Sequence, residues 1–355
     1  MLSHLPKATS TSFRRPDIID QPLYVVTTSF NPRRYRKRWK NRDDFARHVL
    51  DSGAYLVDIE ASFGERAEVI KEQVSERHLI IHVRTSHEIW LKENMMNVAV
   101  QHMPIDWKYV AFIDADMLFA RPDWVGETLH KLQHHPVVQV FSEVGYLNSN
   151  YELINLRLSF AERWRRGYEF RANGHTIKNE VFGNKKHNTF GKNGACSYKD
   201  IKHGEWGPPG GGWAYRREAF DAVGGMIDCC ILGSGDWYMA AGIIGFMEAA
   251  VPMSYEPDFR RILLEWEKRA LLAFRKNVGV VQGLCLHNWH GKMSERGYGS
   301  RDNILKSGRF NPITDLKKDA HGLIQLHDDG SERIWRMRSQ IGDYFSSRNE
   351  DALDD

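Results

Sequence analysis

The chain has 355 residues, 42% of them hydrophobic and 27% charged, with a formal charge of +3 and a pI near 8.5. That length suffices for one large α/β domain or two modest ones, and the mild charge neither demands nor excludes a nucleic-acid partner. No apolar run approaches the roughly 20 residues of a membrane span, and the polar opening stretch lacks the apolar core of a signal peptide. A soluble cytoplasmic protein is therefore expected (in the host cytoplasm if the source is viral).

Residues 1–20 are polar and expected to be loosely ordered. Leu23 to Phe30 is a β-rich run closed by the turn signal Asn31-Pro32. Between Arg33 and Arg42 lies the cationic stretch "RRYRKRWKNR", which reads either as a solvated face or as a phosphate-contacting patch. A helix is expected over about Asp43 to Ser52, a strand ending near Asp58-Ile59-Glu60, and a helix over about Ala67 to Ser75. "HLIIHVR" gives a third strand, "HEIWLKENMMNVAVQHM" has helical spacing, and "YVAFID" is a fourth strand. "PDWVGETLHKLQHH" starts a helix on proline, and "VVQVFSEVGYL" reads as one more strand. This alternation predicts a parallel, Rossmann-like sheet with helices on both faces. Such sheets bind ligands beyond the carboxyl ends of their strands, which would gather Asp58, Arg84, Asp114 and Asp116 on one rim.

The second half changes character. "LINLRLSFAERWRRGYEF" has the look of an amphipathic helix, and residues 171–212 form a long Gly-, Asn-, Lys- and His-rich stretch suited to a lid or binding loop. Asp258 to Asn277 is a strong helix with apolar residues on one side, and a charged helix follows Glu332. The four cysteines, Cys196, Cys229, Cys230 and Cys285, match no zinc pattern and read as reduced thiols.

Three groups of residues could carry chemistry. In "FIDADMLF", Asp114 and Asp116 would share one face if the extended geometry persisted, and two such anions call for a hard divalent cation between or beside them; a solvated turn is the plain alternative. "LHNWHG" ends a strand in His287 and His290, and imidazole favours Mn²⁺ over Mg²⁺. In "GPPGGGWAYRREAF", Gly210, Gly211 and Gly212 permit close approach of backbone to a ligand, and Trp213 offers a flat face to a sugar ring or base. Asp236, after Gly233-Ser234-Gly235, is either a helix cap or a general base.

The order of these blocks resembles glycosyltransferases of the GT-A fold, in particular family 2-like nucleotide-sugar enzymes of bacteria and phages. "FIDADMLF" resembles their D-x-D motif, "GGGWAYRREAFDAVGG" the segment lining donor and acceptor, "GSGDWYM" the acidic element of inverting members, and "HNWHG" their late metal-binding histidine. The acidic element is a single Asp here rather than the usual pair. The resemblance covers about residues 22–300. It implies an α/β GT-A fold with a flexible N-terminus over 1–20, a nucleotide-sugar-binding half over 21–145, an acceptor-binding and catalytic half over 146–300 and a helical extension over 301–355. It also implies Mn²⁺ (or Mg²⁺) held by Asp116, by Asp114 (unless that residue holds the ribose) and by His287 or His290. Thr27, Asp58, Arg84 and Asn94 or Asn97 would face the donor, Gly211, Gly212 and Trp213 would line it, and Asp236 would be the base. The reaction implied is sugar transfer from a nucleotide-diphosphate sugar to a hydroxyl of a glycan, a protein or a hydroxymethylated base in duplex DNA. A nucleotidyltransferase should show a Gly-rich loop after the first strand, and this place, "TTSFNPRRYRKR", has no glycine. The alternative from another class is a carbohydrate- or nucleic-acid-binding protein without catalysis.

Overall fold

The computed structural model describes residues 21–179, 206–298 and 300–353. The first strand, β1 (Leu23–Phe30), is followed by α1 (Arg36–Asp51), β2 (Tyr55–Phe63), β3 (His78–Thr85), α2 (Lys92–Gln101), β4 (Tyr109–Ile113), β5 (Met117–Phe119), α3 (Trp124–His134), β6 (Val137–Gln139), β7 (Glu143–Leu147) and β8 (Leu153–Leu158). Next come α4 (Phe160–Arg165), the small pair β9 (Phe170–Ala172) and β10 (His175–Ile177), β11 (Gly212–Arg216), α5 (Arg217–Val223), α6 (Gly235–Ile244), α7 (Met247–Ala250) and α8 (Pro257–Phe274). The remainder holds β12 (Val278–Val280), β13 (Leu284–His287), α9 (Asp302–Ser307), α10 (Pro312–Asp315), β14 (Leu316–Lys318), β15 (Ile324–Leu326) and α11 (Glu332–Ser347).

Seven strands form the central sheet in the order β12-β6-β11-β4-β1-β2-β3, parallel except for β11, which runs against both its neighbours. The expected α/β architecture is therefore present: a mostly parallel sheet flanked by helices, with a helix near the C-terminus. Central strands covered on both faces must be apolar throughout, and Val25 and Val26 of β1 are wholly buried on opposite faces. Each such side chain contributes about 1.5–3 kcal/mol by leaving water. Phe259, Leu263, Trp266, Ala270 and Phe274 form the buried stripe of α8, expected from Asp258 and starting one residue earlier on Pro257, whereas α3, expected to start on Pro122, begins at Trp124.

A second sheet, in the order β5-β13-β7-β8, creates the site. The chain turns after β4, and β5 then pairs antiparallel with β13, setting Met117 opposite His287. The D-x-D tip and the "HNWH" tip are thus joined by main-chain hydrogen bonds, with Asn288 N–H donating to the Asp116 carbonyl at 2.8 Å.

Four expectations are corrected. No helix forms over 67–75. The buried Glu60 carboxylate accepts the N–H groups of Val69 and Ile70 at 2.8 Å, so those donors are taken before a helix can use them. The amphipathic helix expected from Leu153 is instead β8, paired with β7, followed by the short α4, whose cap is Ser159. The single strand expected over 137–147 is two strands in different sheets, β6 and β7. The helix expected from Asp43 begins at Arg36, because the Asp351 carboxylate accepts the N–H groups of Arg36 and Lys37 at 2.9 and 2.8 Å. Cys229, Cys230 and Cys285 are buried free thiols, while Cys196 and most of the Gly/Asn/Lys/His-rich stretch lie outside the described residues. No helix among the described residues is long and apolar enough to cross a membrane.

Candidate active site

A cavity of about 250 Å³ opens at the carboxyl end of β4. Asp114, Asp116, Gly211, Asp236, His287 and His290 all line it, as do Lys92, Glu93, Tyr146, Arg157, Arg296, Tyr298, Arg301 and Arg348. The residues singled out from the sequence therefore separate into those that reach this space and those that do not.

The two aspartates of the D-x-D tip point to different partners. The extended geometry does not persist: Met117 N–H donates back to the Asp114 carbonyl at 3.2 Å, and Ala115 and Asp116 form a turn. Asp114 faces Lys92 at the start of α2, whose Nζ donates to both carboxylate oxygens at 2.9 and 3.3 Å. Burial works against the Lys92 charge, but Asp114 and then Asp236 and Glu93 outweigh it and hold the ammonium well above its usual value. Asp114 is accordingly not brought into the ligand cluster.

Asp116 joins the histidines. Its Oδ2 lies 2.8 Å from His290 Nε2 and 3.9 Å from His287 Nε2, the two imidazoles are stacked with centroids 5.2 Å apart, and one atom from each of the three residues falls within 4.8 Å of the others. Burial, with Arg296 adding, pushes the His287 imidazole down to about 4 against the pull of Asp116. At neutral pH the His287 imidazole is uncharged and its lone pair is free to bind a cation. His290 Nε2 also lies 2.9 Å from Arg296 Nη2. A guanidinium can only donate and a carboxylate can only accept. A protonated Nε2 therefore opposes Arg296, and a bare Nε2 opposes Asp116. A divalent cation would take the facing lone pairs of Asp116 and the imidazoles in place of that proton, with Arg296 turning away from Nε2, and Asp116 Oδ1, buried with no hydrogen-bond partner, is a further free acceptor. The residues present fit a metal with mixed O and N ligands, a set that suits Mn²⁺ better than Mg²⁺.

Asp236 sits in the first turn of α6, across from Glu93 and Lys92. It is not the cap: Ser234 holds that position, and Asp236 Oδ1 accepts the N–H of Trp237 at 2.8 Å. A Cβ on Gly210 would lie 2.2 Å from Asp236 Oδ2, and Gly211 has φ +92°. These glycines let the 207–211 segment close over the carboxylate. Burial pushes Glu93 up to about 7, Lys92 opposing and Asp236 adding.

The other predicted donor-facing residues are held elsewhere. Thr27 is mid-strand and donates to the Ile113 carbonyl at 2.9 Å; Thr28, Ser29 and Asn31 reach the cavity instead. Asp58 is only the fourth residue of β2, wholly buried, and accepts from Arg42 Nε at 2.6 Å. Arg84 lies on the edge strand β3 and is occupied by the Gly64 and Arg66 carbonyls and Glu68. Asn94 bonds Gly322 and Ile324, and Asn97 bonds Met226 through both ends of its amide. Gly212 is pressed against Val140, and Trp213 is buried with Nε1 donating to the Pro209 carbonyl at 2.7 Å, so it supports the cavity loop from behind. Trp39, Trp90 and Trp237 are the indoles that line the cavity.

The cationic stretch is not one free patch. Arg33 pairs with Glu88, Lys40 with Asp44 and Arg42 with Asp58, while Arg38 reaches the cavity. Sequence reasoning missed Lys92, Glu93, Arg157 and Arg348 as cavity residues. Only "LKEN", an adjacent unlike-charge pair after a strand, offered a local signal.

No family model matches the chain, and no curated protein matches it. Among solved structures it is similar to a mannosyltransferase from Pyrobaculum calidifontis in complex with GDP-Man and Mn²⁺, with 13% identity, a TM-score of 0.37 and coverage of 83% of this chain and 63% of that one. The match thus spans under two thirds of the mannosyltransferase. It is also similar to the catalytic domain of Drosophila β1,4-galactosyltransferase 7 in complex with xylobiose (10% identity, TM-score 0.35, 89% of this chain and 98% of that one). A third similar structure is 4-diphosphocytidyl-2C-methyl-D-erythritol synthase from Anaerococcus prevotii (12% identity, TM-score 0.35, 75% and 88%).

Proposed function

We propose that this chain is a metal-dependent, inverting glycosyltransferase of the GT-A type that moves a sugar from a nucleotide-diphosphate sugar to a hydroxyl acceptor. The observation that carries the reading is the convergence of Asp116, His287 and His290, whose facing ligand atoms lie within 4.8 Å of one another, in one cavity with Asp236 and several cationic side chains. When bound, Mn²⁺ would supply electrostatic stabilisation to the departing diphosphate. Arg296, Arg301 and Arg348, each under a tenth exposed, add fixed positive charge to the lining of the same cavity. Asp236 accepts the proton of the acceptor hydroxyl as its oxygen bonds to the anomeric carbon and the sugar–phosphate bond breaks. Attack opposite the leaving group inverts the anomeric centre. Lys92 holds Asp114 in place at the cavity edge.

The test is a screen of nucleotide sugars for nucleoside diphosphate release, with Mn²⁺, with Mg²⁺ and with chelator. Metal-dependent release faster with Mn²⁺ is expected. Full turnover in chelator refutes the metal reading. Pyrophosphate release from a nucleoside triphosphate supplied with a sugar 1-phosphate, in a parallel arm, instead indicates a nucleotidyltransferase, and donor binding without any cleavage a binding protein. Glycan, protein and hydroxymethylated duplex DNA acceptors form separate arms.

A further inference from the structure

His290 has two ring nitrogens, and only Nε2 faces the Asp116–His287 cluster. On the far side, His290 Nδ1 faces Glu350 Oε2 at 3.5 Å. Both atoms are buried, and neither has a hydrogen-bond partner. An imidazole that ligates through Nε2 carries its proton on Nδ1, and that proton needs an acceptor. Glu350 is the acceptor at hand once the gap closes by a few tenths of an ångström.

Glu350 is itself firmly placed. It is 1% exposed, Arg348 Nε donates to its Oε1 at 2.6 Å, and Arg38 Nε lies 3.5 Å from Oε2. The segment carrying it is strapped against the histidine tip. Trp289 Nε1 donates to the Ala352 carbonyl at 2.7 Å, and a Cβ on Gly291 would lie 2.9 Å from the Glu350 Cα. Asp351 caps α1 next to it. A carboxylate buried with only one firm hydrogen-bonded partner is costly to keep, and an imidazole N–H donor explains its position.

We infer that Glu350 is a positioning residue of the metal centre: it accepts a hydrogen bond from His290 Nδ1–H, fixes the ring's tautomer and orientation, and leaves Nε2 as the ligand. The inference rests on the metal site proposed above. It is tested by titrating the full chain with Mn²⁺, following bound metal by electron paramagnetic resonance, for wild type, Glu350→Gln, Glu350→Ala, His290→Ala and the two double variants. Loss of such a partner typically lowers metal affinity about 10–100-fold. The smaller loss is expected for Glu350→Gln, which keeps the bond from Arg348, and the larger for Glu350→Ala. In the His290→Ala background neither change should weaken Mn²⁺ further, although Glu350→Ala still lowers the melting temperature. Wild-type affinity in Glu350→Gln, or an equal loss with and without His290, overturns the inference and leaves Glu350 as part of the strap. A wild-type chain that binds no Mn²⁺ fails earlier, at the metal site itself.

Discussion

The cavity has two acidic walls built from the same residue types, and they solve the problem of buried charge differently. On one, Asp114, Glu93 and Asp236 gather around Lys92, and a proton held by Glu93 near neutrality relieves the remaining repulsion. On the other, Asp116 meets two histidines and Arg296, and no arrangement of protons satisfies every contact. The first wall is complete as a set of protein groups, so it suits proton transfer. The second, on the proposed reading, is completed by a cation. Two aspartates separated by one residue fall on opposite sides of that division because the chain turns between them.

The largest effect is expected where the second wall is broken. Asp116→Ala should remove Mn²⁺ binding and lower donor cleavage by about 10³-fold or more, the scale of losing a principal electrostatic stabiliser. Asp114→Ala should leave Mn²⁺ affinity within a few fold, since the Asp114 carboxylate is engaged by Lys92. Equal loss of Mn²⁺ affinity in the two variants, read by the same titration, would erase the distinction between the walls.

Asp236→Asn probes the first wall. Asn keeps an oxygen able to accept the Trp237 N–H, so the start of α6 should hold. The variant should bind donor normally, with kcat down by roughly 10²–10⁴-fold, the span usual for loss of a general base. A near-normal kcat removes the base assignment without touching the metal site.

How much of this was legible in the sequence follows from how local each cause is. The apolar runs of β1 and β4 and the stripe of α8 are local, and they appear where periodicity puts them. Asp116, His287, His290 and Asp236, singled out from the sequence, lie at or near strand ends or a glycine turn, and the fold brings them to one cavity. Thr27 and Asp58 were misplaced because both lie within strands that run on toward the rim. The early start of α1 depends on Asp351, more than three hundred residues away, and the carboxylate that faces His290 Nδ1 is that of Glu350. Neither pairing leaves a periodic trace. Glu60 suppresses the helix at 67–75 by taking its first donors, which propensity alone does not register.

Glu93→Gln sharpens the comparison through pH. The folded carboxyl titrates near 7 against an ordinary value of 4.5, so the native state holds the proton more tightly than the unfolded chain. Wild-type stability should therefore fall as pH rises from about 4.5 to 7 and level off above that, a loss of roughly 3 kcal/mol. Gln carries no titrating proton, so the variant should gain on wild type by up to that amount between pH 5 and pH 8 in urea denaturation. Parallel pH profiles would mean that Glu93 is ionised throughout and that the first wall is not relieved by a proton.

The smallest effect concerns the outer side of α2, the helix that brings Lys92 and Glu93 to the cavity. Asn97 Nδ2 donates to the Met226 carbonyl at 3.0 Å and its Oδ1 accepts the Met226 N–H at 2.8 Å, so one amide ties the helix to the segment before α6. Asn97→Ala loses both bonds and leaves the buried Met226 N–H without a side-chain partner. A cost of about 1–2 kcal/mol is expected, read as a lower midpoint in urea at unchanged slope. Donor KM and Mn²⁺ affinity should be unchanged, because Asn97 does not line the cavity. A raised donor KM with no change in stability would restore the donor contact that the sequence suggested, and would extend the first wall to the far face of α2.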